Sequence, residues 1–477
     1  MPATADPDEP DSPGDPAPAA SPAQRPAAPE PSAAPGSLAS PAPQPEAPSA
    51  SPAVPGDRPR HGRASTLVAT RLPALAVPAY RRFLAGAFVG AVGSWMQATA
   101  QGWLVLDLTN SPAALGLVSA FGTLPILLFS VFAGVLADRL DRRRLLVGTQ
   151  LAAALVACTM AALVSTGIVQ LWHVAALAFL AGTASAVQTP AYQAIVSTLV
   201  DRPAIGSAVA LNAAQFNLSR VIGPAIAGAV IAAGGLVLAF WGNAIALVLV
   251  AGVFWTLRIA PAADLVRAQA SLWSNLLDGL RYVRSERVIA VLVLLAGVPA
   301  LLVLNYLVLL PVYARDILGI GAPGLGFLSG AIGVGALTGA LGLAALRPSG
   351  GSARAALAGL AISSAALVVF ALSRSVPVSA AALAVLGCTQ VVYYATTNTL
   401  LQVLVPGRLR GRVISLYILT SWGFIPVGNL LAGVVAERFS ATLALAGGGT
   451  LTLAIVGVVA LALPEVRRLV TPQSHAT

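Results

Sequence analysis

The sequence contains no lysine; all 28 of its basic residues are arginine. A phosphate-binding P-loop needs its lysine, so an ATPase of that type is excluded. Schiff-base chemistry on lysine is excluded with it. Cysteine is nearly as scarce. Cys158 and Cys388 stand in apolar runs, where a free thiol behaves as a small hydrophobe. Two such residues make neither a disulfide framework nor a metal site. The three histidines, His61, His173 and His475, are scattered and form no ligand cluster. Without a metal-ligand cluster or a nucleophile constellation, no enzyme is expected, and neither is a metal or a cofactor. Charge is also sparse. Charged residues make up 10% of the chain and hydrophobic residues 57%, against about a quarter charged in soluble domains. That balance excludes an ordinary water-soluble fold.

What the chain has instead is a series of uncharged runs of roughly 20 residues, beginning at Phe83. Each can cross a hydrocarbon core of about 30 Å as a helix, the form that satisfies its own backbone in lipid. Barrel strands would alternate apolar and polar residues, and these runs do not. Twelve spans are predicted: 83–106, 112–137, 144–166, 171–189, 207–232, 236–257, 288–312, 324–346, 354–372, 378–402, 412–435 and 441–463. The expected fold is an all-α membrane protein with two six-helix bundles, at 80–257 and 288–465. Between them, 258–287 reads as a cytoplasmic linker. Its Leu272, Leu276, Leu280 and Val283 follow the spacing of an amphipathic surface helix. Residues 1–62, rich in Pro, Ala and Ser, read as a disordered tail without a signal peptide. Residues 466–477 form a C-terminal tail.

Arginine sets the expected orientation. With both termini cytoplasmic, the inner segments hold most of the arginines and the outer connections hold only Arg315, Arg374 and Arg438. This is the positive-inside pattern of a multi-pass protein in a bacterial plasma membrane. Arginines placed at membrane borders do not make a nucleic-acid surface. The expected partners are lipid, a small-molecule substrate and a coupling ion, with the chain acting as a monomer.

The two halves echo each other. "LGLVSA" at 115–120 recurs as "LGFLSG" at 325–330, with Asp107 and Asp316 at similar distances before them. "GPAIAG" at 223–228 recurs as "GNLLAG" at 428–433. Same-direction repeats of six spans point to bundles related by an axis along the membrane normal, as in secondary transporters.

The turn after the second span, "GVLADRLDRRR", is denser in charge than anchoring requires. Gly134 would let another helix approach. Asp138 and Asp141, beside Arg139, Arg142 and Arg143, could latch the bundles in one state. Here the chain resembles the major facilitator superfamily, whose signature in this loop is matched by Gly134, Asp138, Arg139, Arg142 and Arg143. Asp141 stands where many members have glycine. The resemblance implies an inner-side charge relay that gates alternating access.

In the fifth span, Ser219, Gly223, Pro224, Ala227 and Gly228 resemble that superfamily's antiporter motif, which implies a helix bend that seals a leak. The stretches "GSWMQ…GWLVLDLTNSP", "LPVYARDILG" and "NTLLQVLVPGRLRGRVISLY" resemble the branch containing enterobactin-type siderophore exporters and macrolide efflux proteins. Two features depart from it. The fourth span lacks the buried arginine of many proton antiporters, and Tyr192 replaces an arginine common after "TPA". The second half lacks the loop signature, with Pro348 opposite Asp138.

Polar residues within spans are expensive and mark pathways. The candidates are Gln97 and Gln101, Asn212, Gln215 and Arg220, Asn305 and Tyr306, Gln390, Tyr393, Tyr394 and Asn398, and Trp422, with Asp107 and Asp316 as possible proton carriers. Arg220, a charge at mid-span, needs a partner: Asp107 or an anionic substrate group. The reading is an exporter of small amphipathic molecules, drugs or siderophores, coupled to an ion gradient, with proton antiport expected. An importer of the same fold and a non-transporting sensor or scaffold are the alternatives.

Overall fold

A computed structural model describes residues 72–257, 272–346 and 352–463. The predicted N-terminal tail, residues 258–271 of the linker, Arg347, Pro348 and the C-terminal tail lie outside the described residues. So do the side chains of Asp138, Arg139, Leu272 and Leu276.

The described residues are helical, with no β-strand. The first half comprises α1 (Pro78–Thr109), α2 (Pro112–Arg139), α3 (Arg142–Ser165), α4 (Leu171–Thr198) and α5 (Ile205–Trp255). The amphipathic α6 (Leu272–Ser285) follows. The second half comprises α7 (Arg287–Leu302), α8 (Tyr306–Val312), α9 (Gly321–Leu346), α10 (Ala353–Leu372), α11 (Val376–Leu404), α12 (Gly407–Gly423), α13 (Ile425–Arg438) and α14 (Ala441–Ala462).

Eleven helical stretches among the described residues are long and apolar enough to cross a membrane. The twelfth expected span is found inside one of them. Arg202–Trp255 runs for 54 residues, more than twice the roughly 20 that a crossing needs. It kinks at Gly235, where φ is +74° and ψ −177°, a conformation that glycine adopts without a Cβ penalty. Pro224 lies inside α5, but the backbone leaves helical dihedrals at Gly235. Two other spans are interrupted. One breaks between α7 and α8 beside Asn305 and continues into a π-helical turn at Tyr313–Ile317. The other breaks between α12 and α13 at Phe424, with Pro426 just beyond. Broken helices in membrane carriers line cavities, because freed backbone groups need protein or water.

Side-chain caps fix the helix starts. Ser111 accepts from the Ala114 amide at 3.1 Å, Asp141 from Arg144 at 3.0 Å, and Ser440 from Leu443 at 3.0 Å. Asp141 therefore caps α3 within its own half. Its replacement by alanine should destabilise the first turn of α3 by ~1 kcal/mol. Hydrogen exchange at the Arg144 amide should then quicken about fivefold.

The cores show where the halves meet. Take the end carrying residues 109–112 and 438–441 as distal. There a single apolar core joins both halves, with Leu104, Leu106, Val118 and Phe240 from the first and Tyr306, Tyr313, Leu325 and Phe370 from the second. Toward the other, proximal end the core divides. Tyr80, Phe83, Leu146, Ile195 and Phe254 belong to a core of the first half alone. Leu292, Leu360, Leu400 and Val413 belong to one of the second. The halves are thus closed distally and part proximally. Large apolar side chains such as Leu155, Trp172 and Leu461 stay well exposed on the outside, a surface suited to lipid.

Candidate functional site

The internal repeats of the sequence are the distal contact itself. A Cβ on Gly116 of "LGLVSA" would lie 2.5 Å from the Asn429 carbonyl and 3.0 Å from Gly433 Cα, both in "GNLLAG". A Cβ on Gly326 of "LGFLSG" would lie 2.6 Å from the Pro224 carbonyl in "GPAIAG". Each half donates one motif of each kind, so α2 packs on α13 and α5 on α9 through bare backbone. Small residues permit this approach. Gly223 and Gly228 of the antiporter-type motif serve it differently. Gly223 abuts Trp95 and Val92 of α1, and Gly228 abuts Ala322 at the start of α9. Ser219 and Ala227 are fully buried beside them.

Two polar latches close the distal rim. Arg315 Nη1 donates to the Leu106 carbonyl at 3.0 Å, and its Nη2 donates to Asn110 Oδ1. Asp316 holds the guanidinium from its own half, with Nε to Oδ1 at 2.6 Å. Asn110 has φ +50°, a left-handed C-cap that asparagine tolerates. In the second latch, Ser111 Oγ and the Ala113 amide donate to Glu437 Oε2 at 2.8 and 3.3 Å. The carboxylate thus sits over the N-terminus of α2, where the helix dipole favours an anion. Sequence reasoning missed Arg315, Asn110 and Glu437 as a unit. They read as turn residues because their partners are more than 200 positions away.

At the proximal end the backbone around Gly134 is open. A Cβ on Gly134 would meet nothing within 4 Å, and the same holds for Gly206 and Gly342. Among the described residues nothing makes the close approach expected at Gly134. Arg143 lies over the Trp255 ring at 5.0 Å, within the first half. Among the described residues Arg142 Nε is buried without a hydrogen-bond partner.

Between these ends lies the polar set. Arg220, near the middle of the first limb of α5, donates from Nη2 to Tyr306 Oη at 3.1 Å, across the two halves. Its guanidinium also lies 5.6 Å from the centre of the Trp95 ring. Cation–π and hydrogen-bond contacts offset part of the ~2.5–3.5 kcal/mol that a charge costs at mid-span. Among the described residues Arg220 forms no ion pair, and Asp107 is not its partner; Asp107 is exposed near the distal end of α1. Buried polar atoms without partners among the described residues include Arg220 Nε in the first half and Asn305 Oδ1, Gln390 Nε2 and Tyr394 Oη in the second. Tyr394 is close enough to interact electrostatically with both Tyr306 and Arg220.

The other expected pathway residues divide. Several are tied within their own half. Asn243 donates to Gln97, Gln215 to the Ala87 carbonyl at 3.2 Å, Tyr192 to Asn212 at 2.5 Å, and Gln402 to Asn398 at 2.9 Å. Tyr393 is buried in the second-half core and donates to the Leu295 carbonyl at 2.8 Å. Gln101 is partly exposed and Trp422 is 55% exposed. The arrangement brings a cation, an aromatic face and a tyrosine hydroxyl together between the halves. Among the described residues, no cluster of His, Cys, Asp or Glu could hold a metal ion.

A family profile described as transmembrane secretion effector matches residues 69–476. The chain is 29% identical over 406 residues to the multidrug efflux pump Tap of Mycolicibacterium fortuitum, covering 81% of this chain and 96% of Tap. It is 36% identical over 151 residues to the staphyloferrin A transporter of Staphylococcus aureus. That match spans 31% of this chain and 38% of the transporter. Among solved structures, an inward-facing bacterial homologue of the lysosomal transporter Spinster aligns with a TM-score of 0.63. It is 15% identical over 82% of this chain and 96% of that one. The nucleoside transporter NupG aligns with a TM-score of 0.66 and 12% identity, over 82% of this chain and all of NupG. These likenesses show the fold.

Proposed function

The chain belongs to the transmembrane secretion effector family of major facilitator transporters, and on that premise we propose that it exports small amphipathic molecules from a bacterial cytoplasm. Drugs such as macrolides, or siderophores, are the substrate classes. The names of its relatives support this range: one is a multidrug efflux pump and another a siderophore transporter. In this reading the chain is a monomer in the plasma membrane with both termini inside. The proximal mouth then faces the cytoplasm and the distal latches face outward.

The observation that carries the reading is the Arg220–Tyr306 contact between the halves, made at the inner edge of the shared distal core. Substrate enters from the proximal side and binds among Arg220, Trp95, Tyr306, Tyr394 and Gln390. The gating turn at Gly134, Asp138, Arg139, Asp141, Arg142 and Arg143 then closes behind it while the distal glycine contacts part. The proton-motive force supplies the energy, with Asp107 and Asp316 as the groups a proton could use.

A survival and accumulation panel in an efflux-deficient bacterial host tests this. Expression of the chain should lower cellular accumulation of at least one panel compound, and an uncoupler should abolish the effect. Arg220→Gln, expressed to the same level, should reduce efflux about tenfold or more, which corresponds to ~1.4 kcal/mol of lost binding or coupling. Higher accumulation on expression would identify an importer. No flux of any compound would leave a scaffold.

A further inference from the structure

Building on the exporter reading, we propose that the central site selects amphipathic organic monoanions, and that for these substrates the membrane-potential component of the proton-motive force suffices to drive export. An arginine is a fixed positive charge in proteins, yet among the described residues no carboxylate pairs with Arg220. Its described partners are neutral: the Tyr306 hydroxyl at 3.1 Å and the Trp95 face at 5.6 Å. Its Nε is buried with no acceptor, so part of a planar donor fork remains unused. A fork of that shape matches a carboxylate or sulfonate in two parallel hydrogen bonds. Trp95 packs edge-on against Phe216 at 6.1 Å, which offers an aromatic wall for the apolar body of such a ligand. Tyr394 Oη, buried without a partner, can add a donor.

The charge balance follows. Among the described residues, every acid stands near a span end or in a connection, so Arg220 is the unopposed charge at mid-depth. With a monoanion bound, the site is neutral and crosses the field freely. Empty, it carries one positive charge, which an inside-negative potential pulls back to the cytoplasmic face. One cycle therefore moves one negative charge outward and needs no proton. A potential of 100 mV acting on one charge corresponds to about a fiftyfold concentration ratio. The same field would oppose import of an anion.

The test uses the full-length protein in proteoliposomes, with 2-naphthalenesulfonate as the anion, 2-naphthalenesulfonamide as the neutral isostere and 2-naphthyltrimethylammonium as the cation. Valinomycin and potassium set about 100 mV with no pH gradient. The sulfonate should accumulate on the positive side toward the fiftyfold limit, with about tenfold or greater preference over the sulfonamide. Arg220→Gln should abolish accumulation, and Arg220→Lys, which keeps the charge, should retain part of it. The wild-type comparison needs no variant and stands even if Arg220→Gln misfolds. Equal or better handling of the neutral or cationic probe, or sulfonate flux that requires a pH gradient, would overturn the proposal. Movement of those other probes would leave the exporter reading intact. If no probe moves, the selectivity claim falls, and the cell panel decides the exporter reading separately.

Discussion

Gly433→Val is expected to hold the transporter open at its distal end and to reduce transport more than tenfold. A Cβ at this position would lie 2.7 Å from the Pro112 carbonyl and 2.9 Å from Gly116 Cα. Both neighbours are backbone atoms of the opposite half, so no side chain can turn aside to make room. Overpacking of this kind costs about 1–3 kcal/mol. In a two-state carrier that penalty falls on the distally closed state alone, and 1.4 kcal/mol already shifts the populations tenfold. Gly326→Ala, 2.6 Å from the Pro224 carbonyl, should act in the same direction through the pseudosymmetric contact. Gly457→Ala in α14 is the control, because open space surrounds it and it belongs to neither contact. Labelling of single cysteines placed at the distal and proximal rims reads the populations. Unchanged distal labelling in Gly433→Val would sink the claim that this contact holds the distal end closed.

The second expectation concerns the rim. Removing both latches, as Arg315→Ala with Glu437→Ala, should raise the distally open population about tenfold while leaving the glycine contacts in place. Arg315 reaches the Leu106 carbonyl at 3.0 Å, and Glu437 takes a hydrogen bond from Ser111 at 2.8 Å. Charged hydrogen bonds of this type are worth about 1.5–3 kcal/mol when buried, but these sit near water and are discounted to ~1 kcal/mol or less each. Glu437→Gln alone should act weakly, since an amide oxygen still accepts from Ser111 but no longer answers the α2 dipole. The pair of spin-label distances across the rim, at the α1–α2 and α13–α14 connections, measures the change. A double variant that closed as fully as the parent would show that apolar packing suffices.

The membrane class, the crossing helices and the doubled plan were all legible in residue order. They depend on hydropathy, length and arginine placement, which act on each segment nearly alone. The twelfth crossing was legible too: the predicted spans 207–232 and 236–257 part where the structure kinks, at Gly235. The mid-span charge at Arg220 was visible for the same reason, because a buried cation stands out against any apolar run. What the order of residues could not supply was the identity of partners. It offered Asp107 to Arg220, and the fold supplied Tyr306 and Trp95 instead. The echoing glycine motifs announced a symmetry, but only packing revealed that each motif of one half rests on the other kind in the opposite half. The open proximal end was likewise a tertiary outcome. A sequence encodes both conformations of an alternating carrier, and contacts between residues 200 positions apart decide which of them the chain occupies.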